Sequence, residues 1–137
     1  QDVIETVIEN AYEAMMDNEN RGQPREITVD FRPRQDGKRY YLDVLVTDTG
    51  KGMPPEDHER VFQFGYSSKA RQLRTSMGLG MWIAKQLMRG GGGGIEIDSE
   101  YTKPGSGTRV CLTFRMMMRP SDDLMAKTSR QARRAQR

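Results

Sequence analysis

The sequence predicts an α+β fold in which two pairs of β-strands are combined with amphipathic helices. Strand-like patterns, either apolar and polar residues in alternation or a short apolar run, occupy residues 26–32, 40–48, 95–100 and 108–114. Apolar residues spaced three and four apart, the pattern of a helix with one buried face, occupy residues 2–19 and 81–88. We therefore expect a sheet of at least four strands packed against helices.

The length of 137 residues is sufficient for one domain with a hydrophobic core but too short for two. Residues 1–115 are predicted to form this domain. There is neither a run of about 18 apolar residues nor a signal peptide at the N-terminus, so a cytoplasmic fragment is expected, whose full-length protein could be membrane-anchored. A single cysteine, Cys111, and a single histidine, His58, exclude a disulfide framework and a histidine-rich metal site. His58 is expected at the surface.

The formal net charge of +3 is concentrated near the C-terminus. Seven of the 22 basic residues, but only two of the 19 acidic ones, lie at or beyond Arg115, which leaves fifteen basic against seventeen acidic residues before it. Residues 116–137 are predicted to be a basic tail with a helix that begins after Ser121. Because the body is close to neutral, nucleic-acid binding is not expected.

The first helix, residues 2–19, carries an asparagine close to its apolar face. Asn10 lies between Val7 and Ala14, and a buried amide at this position needs a partner. The chain begins inside this helical pattern, so we expect that an upstream segment of the full protein has been removed.

The first pair of strands leads to the motif DTGKGMP, residues 48–54. Residues 33–38 are expected to turn the chain, with Asp36-Gly37 as the hairpin signal. Asp48 then ends a covered strand, and Gly50 and Gly52 allow the backbone to approach a ligand. A carboxylate accepts hydrogen bonds from an amine but not from a carbonyl, so this site favours adenine over guanine. On its own, the motif is also compatible with an ordinary turn.

Beyond this motif, Pro54 and Pro55 begin a short helix with Val61, Phe62 and Phe64 as its apolar side. Residues 65–77 form a basic loop that is expected to be mobile. The following helix starts at a glycine-rich segment, whose exposed amides are suited to phosphate. Five glycines at 90–94 end that helix as a connector, and the last two strands form an antiparallel hairpin.

Four of these features follow one another in a recognisable order: Glu9-Asn10-Ala11 with Ala14, residues 48–54, residues 61–69 (VFQFGYSSK) and residues 77–81 (MGLGM). They resemble the asparagine box, first glycine box, phenylalanine box and second glycine box of the GHKL ATPase superfamily. The resemblance covers residues 3–115 and is closest to the catalytic and ATP-binding domain of sensor histidine kinases. It implies a two-layer α/β sandwich, with a mixed, mostly antiparallel sheet covered on one face by about three helices.

The resemblance also implies which residues bind the adenine base and the ribose of Mg-ATP. Asp48 holds the adenine amine, and Thr108 helps to bind adenine. The pocket for the base and ribose is lined by Gly50, Gly52 and Met53. Phe64 belongs either to the lid over this pocket or to the core.

At the phosphate end, the resemblance implies a metal ligand and several phosphate contacts. Asn10 coordinates Mg²⁺ through its amide oxygen, and Lys69 supplies a positive charge for the terminal phosphates. Arg71 and Arg74 are alternatives to Lys69. Backbone amides for the phosphates come from Gly78, Leu79 and Gly80.

Two positions depart from family patterns. Family members that hydrolyse ATP carry a glutamate one turn before the magnesium asparagine, but this residue is Thr6. Its absence argues for a kinase rather than a hydrolase. Many histidine kinases have a basic residue three positions after the asparagine, where this chain has Glu13. That exchange removes a phosphate contact and gives Lys69 more importance.

The function expected from the resemblance is transfer of the γ-phosphate of ATP to a histidine outside this chain, located upstream or on another molecule. A response regulator would then be an indirect partner. One alternative is a nucleotide-dependent switch in which ATP orders the loop without phosphotransfer. A third possibility is that the basic tail binds nucleic acid or an acidic partner.

Overall fold

A computed structural model describes residues 2–16, 24–66 and 79–126 of the chain. It contains α1 (Val3–Met16), β1 (Ile27–Asp36), β2 (Arg39–Asp48), α2 (Asp57–Arg60), α3 (Gly80–Gly90), β3 (Gly94–Ile97) and β4 (Thr108–Met116). Residues 122–126 are also helical, and the Leu124 amide donates to the Ser121 hydroxyl at 3.4 Å. The predicted α+β class is confirmed. β4 ends one residue beyond the expected domain boundary at 115.

The four strands form one sheet in the order β1-β2-β4-β3. Its three pairings, β1 with β2, β2 with β4 and β3 with β4, are all antiparallel, which confirms the second hairpin. The first hairpin turns later than expected. Pro33 lies within β1, opposite Leu42, and Asp36 pairs with Arg39 across the two-residue turn Gly37-Lys38. Proline is tolerated because β1 is an edge strand, where a missing amide donor does not break a central ladder.

The helices cover one face of the sheet and bury its apolar side chains. From the sheet, this core contains Val44, Val46, Ile95, Ile97, Val110 and Leu112; from the helical side, it contains Val7, Phe62, Met81, Ala84 and Met88. The strand residues are two apart in sequence and therefore point to the same face. The protein is thus the two-layer arrangement that the resemblance implied.

The ends of the helices are fixed by specific contacts. At the start of α1, the Glu5 amide donates to the Asp2 carboxylate at 2.8 Å, so this helix has an N-cap within the described residues. After α3, Gly92 has a φ of +78°, and a Cβ at Gly93 would overlap the Thr113 carbonyl. The glycine tract is therefore more than a connector, because it lets the chain turn tightly onto β4.

Candidate functional site

The cavity at one end of the sheet lies between α1, the end of β2, the segment around α2 and the start of β4. It contains about 480 Å³ of empty space, including the part open to solvent. The residues that line it are Asn10, Ala14, Asp48, Lys51, Gly52, Met53, Asp57, Val61, Tyr66 and Thr108. Polar groups from four parts of the chain therefore meet in one concave site.

Asp48 is the buried carboxylate of this cavity, with only 3% of its surface exposed. One of its oxygens, Oδ1, accepts hydrogen bonds from the backbone amides of Gly50 at 2.8 Å and Thr108 at 3.3 Å. Asp48 and Thr108 are also paired across β2 and β4. Two amides on one oxygen hold the carboxylate in a single orientation, as a group that must recognise a ligand requires.

The loop after Asp48 is clamped by main-chain contacts on both sides. The Lys51 amide donates to the Ala14 carbonyl at 3.4 Å, and the Gly105 amide donates to the Lys51 carbonyl at 2.5 Å. A Cβ at Gly50 would come within 2.8 Å of the Ala14 carbonyl carbon, and one at Gly52 would overlap the Lys103 carbonyl. These glycines thus allow protein backbone to approach the loop closely.

The middle of α1 contributes Asn10 to the cavity wall. One turn earlier, the Thr6 hydroxyl donates to the Asp2 carbonyl at 3.0 Å. The Thr6 methyl carbon lies 3.2 Å from where a Cβ would stand on Gly80. Glycine at position 80 therefore lets the start of α3 approach α1. Glu5 and Glu9, the neighbouring carboxylates, are exposed.

The segment around α2 forms a further wall with its own polar pair. The Tyr66 hydroxyl donates to Asp57 Oδ1 at 2.7 Å, and this hydrogen bond, together with desolvation, raises the pKa of Tyr66 above its ordinary value. The Tyr66 amide also donates to the Gln63 carbonyl at 3.2 Å. Both side chains line the cavity, so a carboxylate and a neutral hydroxyl are presented together.

Comparison with known proteins agrees with this arrangement. Residues 1–118 match the family model described as histidine kinase-, DNA gyrase B- and HSP90-like ATPase. The chain belongs to this ATPase family. The expected membership of the GHKL superfamily is therefore confirmed.

Relatives within this ATPase family are sensor kinases. The chain is 33% identical over 112 residues to the sensor-like histidine kinase SenX3 of Mycobacterium tuberculosis, covering 80% of this chain and 26% of SenX3. It is 33% identical over 101 residues to the histidine-protein kinase/phosphatase MprB of Mycobacterium ulcerans, covering 72% of this chain and 19% of MprB. The chain thus spans about a quarter or less of the length of these relatives.

Solved structures show the same fold. A mycobacterial sensor histidine kinase MprB structure aligns with a TM-score of 0.59 at 25% identity, covering 82% of this chain and 67% of that one. Full-length ShkA, solved in complex with AMPPNP, aligns with a TM-score of 0.58 at 21% identity, covering 87% of this chain and 22% of that one. The second likeness concerns the fold alone.

The structure brings together some of the residues that the ATPase-family resemblance assigned to the site. Asn10, Asp48, Gly52, Met53 and Thr108 line one cavity. Gly50 lies behind the cavity wall as a donor to Asp48. The remaining predicted residues lie outside the cavity lining or outside the described residues.

Phe64, Leu79 and Gly80 are not part of the lining. Phe64 is 69% exposed and contacts the edge of Trp82, with ring centroids 5.1 Å apart. Leu79 and Gly80 begin α3. Lys69 and Gly78, as well as Arg71 and Arg74, lie outside the described residues, as does most of the predicted loop 65–77.

Sequence reasoning missed three polar residues of the lining: Lys51, Asp57 and Tyr66. Asp57 lies before the phenylalanine motif and Tyr66 lies within it, and only the folded chain shows that they meet. His58 is half-buried rather than simply on the surface, because its Nε2 lies 3.3 Å from the Met53 carbonyl oxygen. In the described part of the chain, no helix combines the length and hydrophobicity needed to span a membrane.

Proposed function

We propose that this chain binds Mg-ATP and acts as the catalytic domain of a sensor histidine kinase, transferring the γ-phosphate to a histidine outside the chain. The observation that carries this proposal is that Asn10, Asp48 and Thr108, which are distant in sequence, line one cavity. Membership of the ATPase family and the similarity to sensor histidine kinases support it. Residues 1–115 would be this domain, and 116–137 a basic extension.

Asp48 is the residue we assign to the adenine base. Its Oδ1 accepts hydrogen bonds from two backbone amides, which fix the orientation of the carboxylate. A carboxylate has about four acceptor positions on its two oxygens, so it can accept a further hydrogen bond from the adenine amine. The same group repels the carbonyl oxygen that guanine presents at that position, and we therefore expect ATP to be preferred over GTP.

Asn10 is the residue we assign to magnesium. Mg²⁺ is usually held by one or two protein oxygens together with phosphates and waters, and a single amide oxygen on the cavity wall fits this pattern. When bound, the ion supplies charge neutralisation at the phosphates. Lys69, Gly78, Leu79 and Gly80 remain the predicted phosphate contacts.

Thr6 supports phosphotransfer to a residue rather than to water. A general base must lie within hydrogen-bond reach of the attacking water. The turn of α1 before Asn10 carries a hydroxyl that donates to its own helix. The acceptor would then be a histidine upstream in the full protein or on another molecule, and a response regulator would follow it.

A phosphotransfer experiment tests the proposal. The chain is incubated with Mg²⁺ and γ-labelled ATP, together with a histidine-bearing acceptor domain from the full-length protein. We expect labelled acceptor whose phosphate is lost in acid but stable in base, and much less label with Asn10→Ala or Asp48→Asn at an ATP concentration near the Kd of the unsubstituted protein. Acid-stable label would contradict histidine phosphorylation. ATP binding without transfer to any acceptor would favour the nucleotide-dependent switch.

A further inference from the structure

The cavity is lined by two carboxylates in different surroundings. Asp48 is buried beside the main chain of the β2–β4 pair. Asp57 is half-buried at the start of α2, and its Oδ1 accepts the Tyr66 hydroxyl at 2.7 Å. If Asp48 is taken by the base, Asp57 is available for a different part of the ligand.

The charge of Asp57 limits which part of the ligand it can contact. A carboxylate repels phosphate oxygens, so the wall that carries Asp57 is unsuited to the phosphate chain. It accepts hydrogen bonds but donates none when ionised. Because the adenine amine is assigned to Asp48, the neutral donors that remain in the nucleotide are the sugar hydroxyls, which satisfy both conditions.

Tyr66 fixes the orientation of this carboxylate. Its hydroxyl occupies one side of Oδ1, and the remaining acceptor positions of Asp57 can receive another donor. The wall is braced by its own backbone, since the Val61 amide donates to the Asp57 carbonyl at 3.0 Å and the Tyr66 amide to the Gln63 carbonyl at 3.2 Å. A carboxylate held in this way is pre-organised for a hydrogen bond with a ligand.

We propose that Asp57 accepts a hydrogen bond from a ribose hydroxyl of the bound nucleotide and thereby selects ribonucleotides over deoxyribonucleotides. Tyr66 acts as a positioning residue for Asp57. This inference rests on the proposed function, because it requires ATP to occupy the cavity with its base at Asp48.

The test compares the dissociation constants of ATP, 2′-deoxyATP and 3′-deoxyATP by calorimetry, at fixed magnesium and salt. The unsubstituted protein should bind ATP about tenfold more tightly than at least one of the deoxy analogues, the loss that one hydrogen bond to a charged group predicts. In Asp57→Ala, the ratio of the dissociation constant of that analogue to the dissociation constant of ATP should fall to about two or less. Tyr66→Phe should lower the ratio in part, which a purely structural role of Tyr66 would not do.

Glu56→Ala is the matched control, because Glu56 is exposed, adjoins Asp57 and makes no side-chain cap on α2. It removes the same charge and should leave the ratio unchanged. A ratio near one in the unsubstituted protein, or a ratio unaltered by Asp57→Ala, would overturn ribose recognition while leaving ATP binding intact. Failure of the unsubstituted protein to bind ATP at all would instead overturn the proposed function, and this inference with it.

Discussion

If Asp48 binds the base as proposed, replacing it with asparagine should weaken recognition of the base while preserving the shape of the site. The asparagine oxygen can still accept from the Gly50 and Thr108 amides, but with a neutral acceptor, so unfolding free energy should fall by only about 1 kcal/mol. On the ligand side, an amide donor replaces a carboxylate acceptor and faces the adenine amine. Losing that hydrogen bond and leaving donors unpaired should cost roughly 2–4 kcal/mol of binding, or about 30- to 700-fold in Kd.

The assay measures ATP and GTP affinity by calorimetry and unfolding by urea titration on the same preparations. Asp48→Asn should weaken ATP binding and narrow the difference between ATP and GTP, because an amide donor can pair with the guanine carbonyl. Asp48→Ala should also destabilise the fold by at least about 2 kcal/mol, since two buried amides lose their acceptor. Asp98→Asn is the matched control, because Asp98 Oδ1 also accepts two backbone amides, from Glu100 and Tyr101, but lies outside the cavity lining. Unchanged ATP affinity in Asp48→Asn would refute the assignment of the base.

Three other substitutions or modifications test the structure itself. Gly52→Ala should lower the unfolding free energy by more than about 2 kcal/mol, because φ at Gly52 is +69° and a Cβ would overlap the backbone of the β3–β4 loop. Gly90 lies in open space at the end of α3, so the control Gly90→Ala should be neutral or stabilising in the same urea titration. Tyr66→Phe should cost at most about 1 kcal/mol at neutral pH, since the hydrogen bond to Asp57 is partly solvated. The folded-state pKa of Tyr66 is raised, because its hydroxyl donates to Asp57. The difference in unfolding free energy between the unsubstituted protein and Tyr66→Phe should therefore persist below about pH 10 and vanish as the pH rises through the raised pKa. A difference that grows with pH would contradict Tyr66 as the donor. Burial raises the pKa of Cys111, so iodoacetamide should react more slowly with the folded protein than with the urea-unfolded protein at neutral pH, and equal rates would contradict its burial.

Much of the fold was accessible from the sequence because its patterns are local. Alternation located the strands, and the spacing of Val7 and Ala11 located α1. The first turn was placed wrongly because Pro33 is a turn residue in most contexts. Only the position of β1 at the edge of the sheet makes proline compatible with a strand at that point.

Residues of the site could be predicted only where they belong to a recognisable sequence motif. Asp48 and Asn10 belong to recognisable motifs, and both line the cavity. Asp57 and Tyr66 meet through the fold of the segment around α2, and no spacing rule predicts a hydrogen bond across it. Gly50 and Gly52 were assigned to the pocket for the base and ribose, and the sequence does not reveal that backbone from α1 and the β3–β4 loop also packs against them.

The main-chain clamp around Lys51 has a consequence for how this site tolerates mutation. The hydrogen bonds that hold the loop join backbone atoms of Ala14, Lys51 and Gly105, so the side chains at these positions take no part in them. Variation of the Lys51 side chain should therefore leave these main-chain hydrogen bonds in place. A library of non-proline residues at position 51 would therefore vary the lining of the cavity while keeping the main-chain clamp.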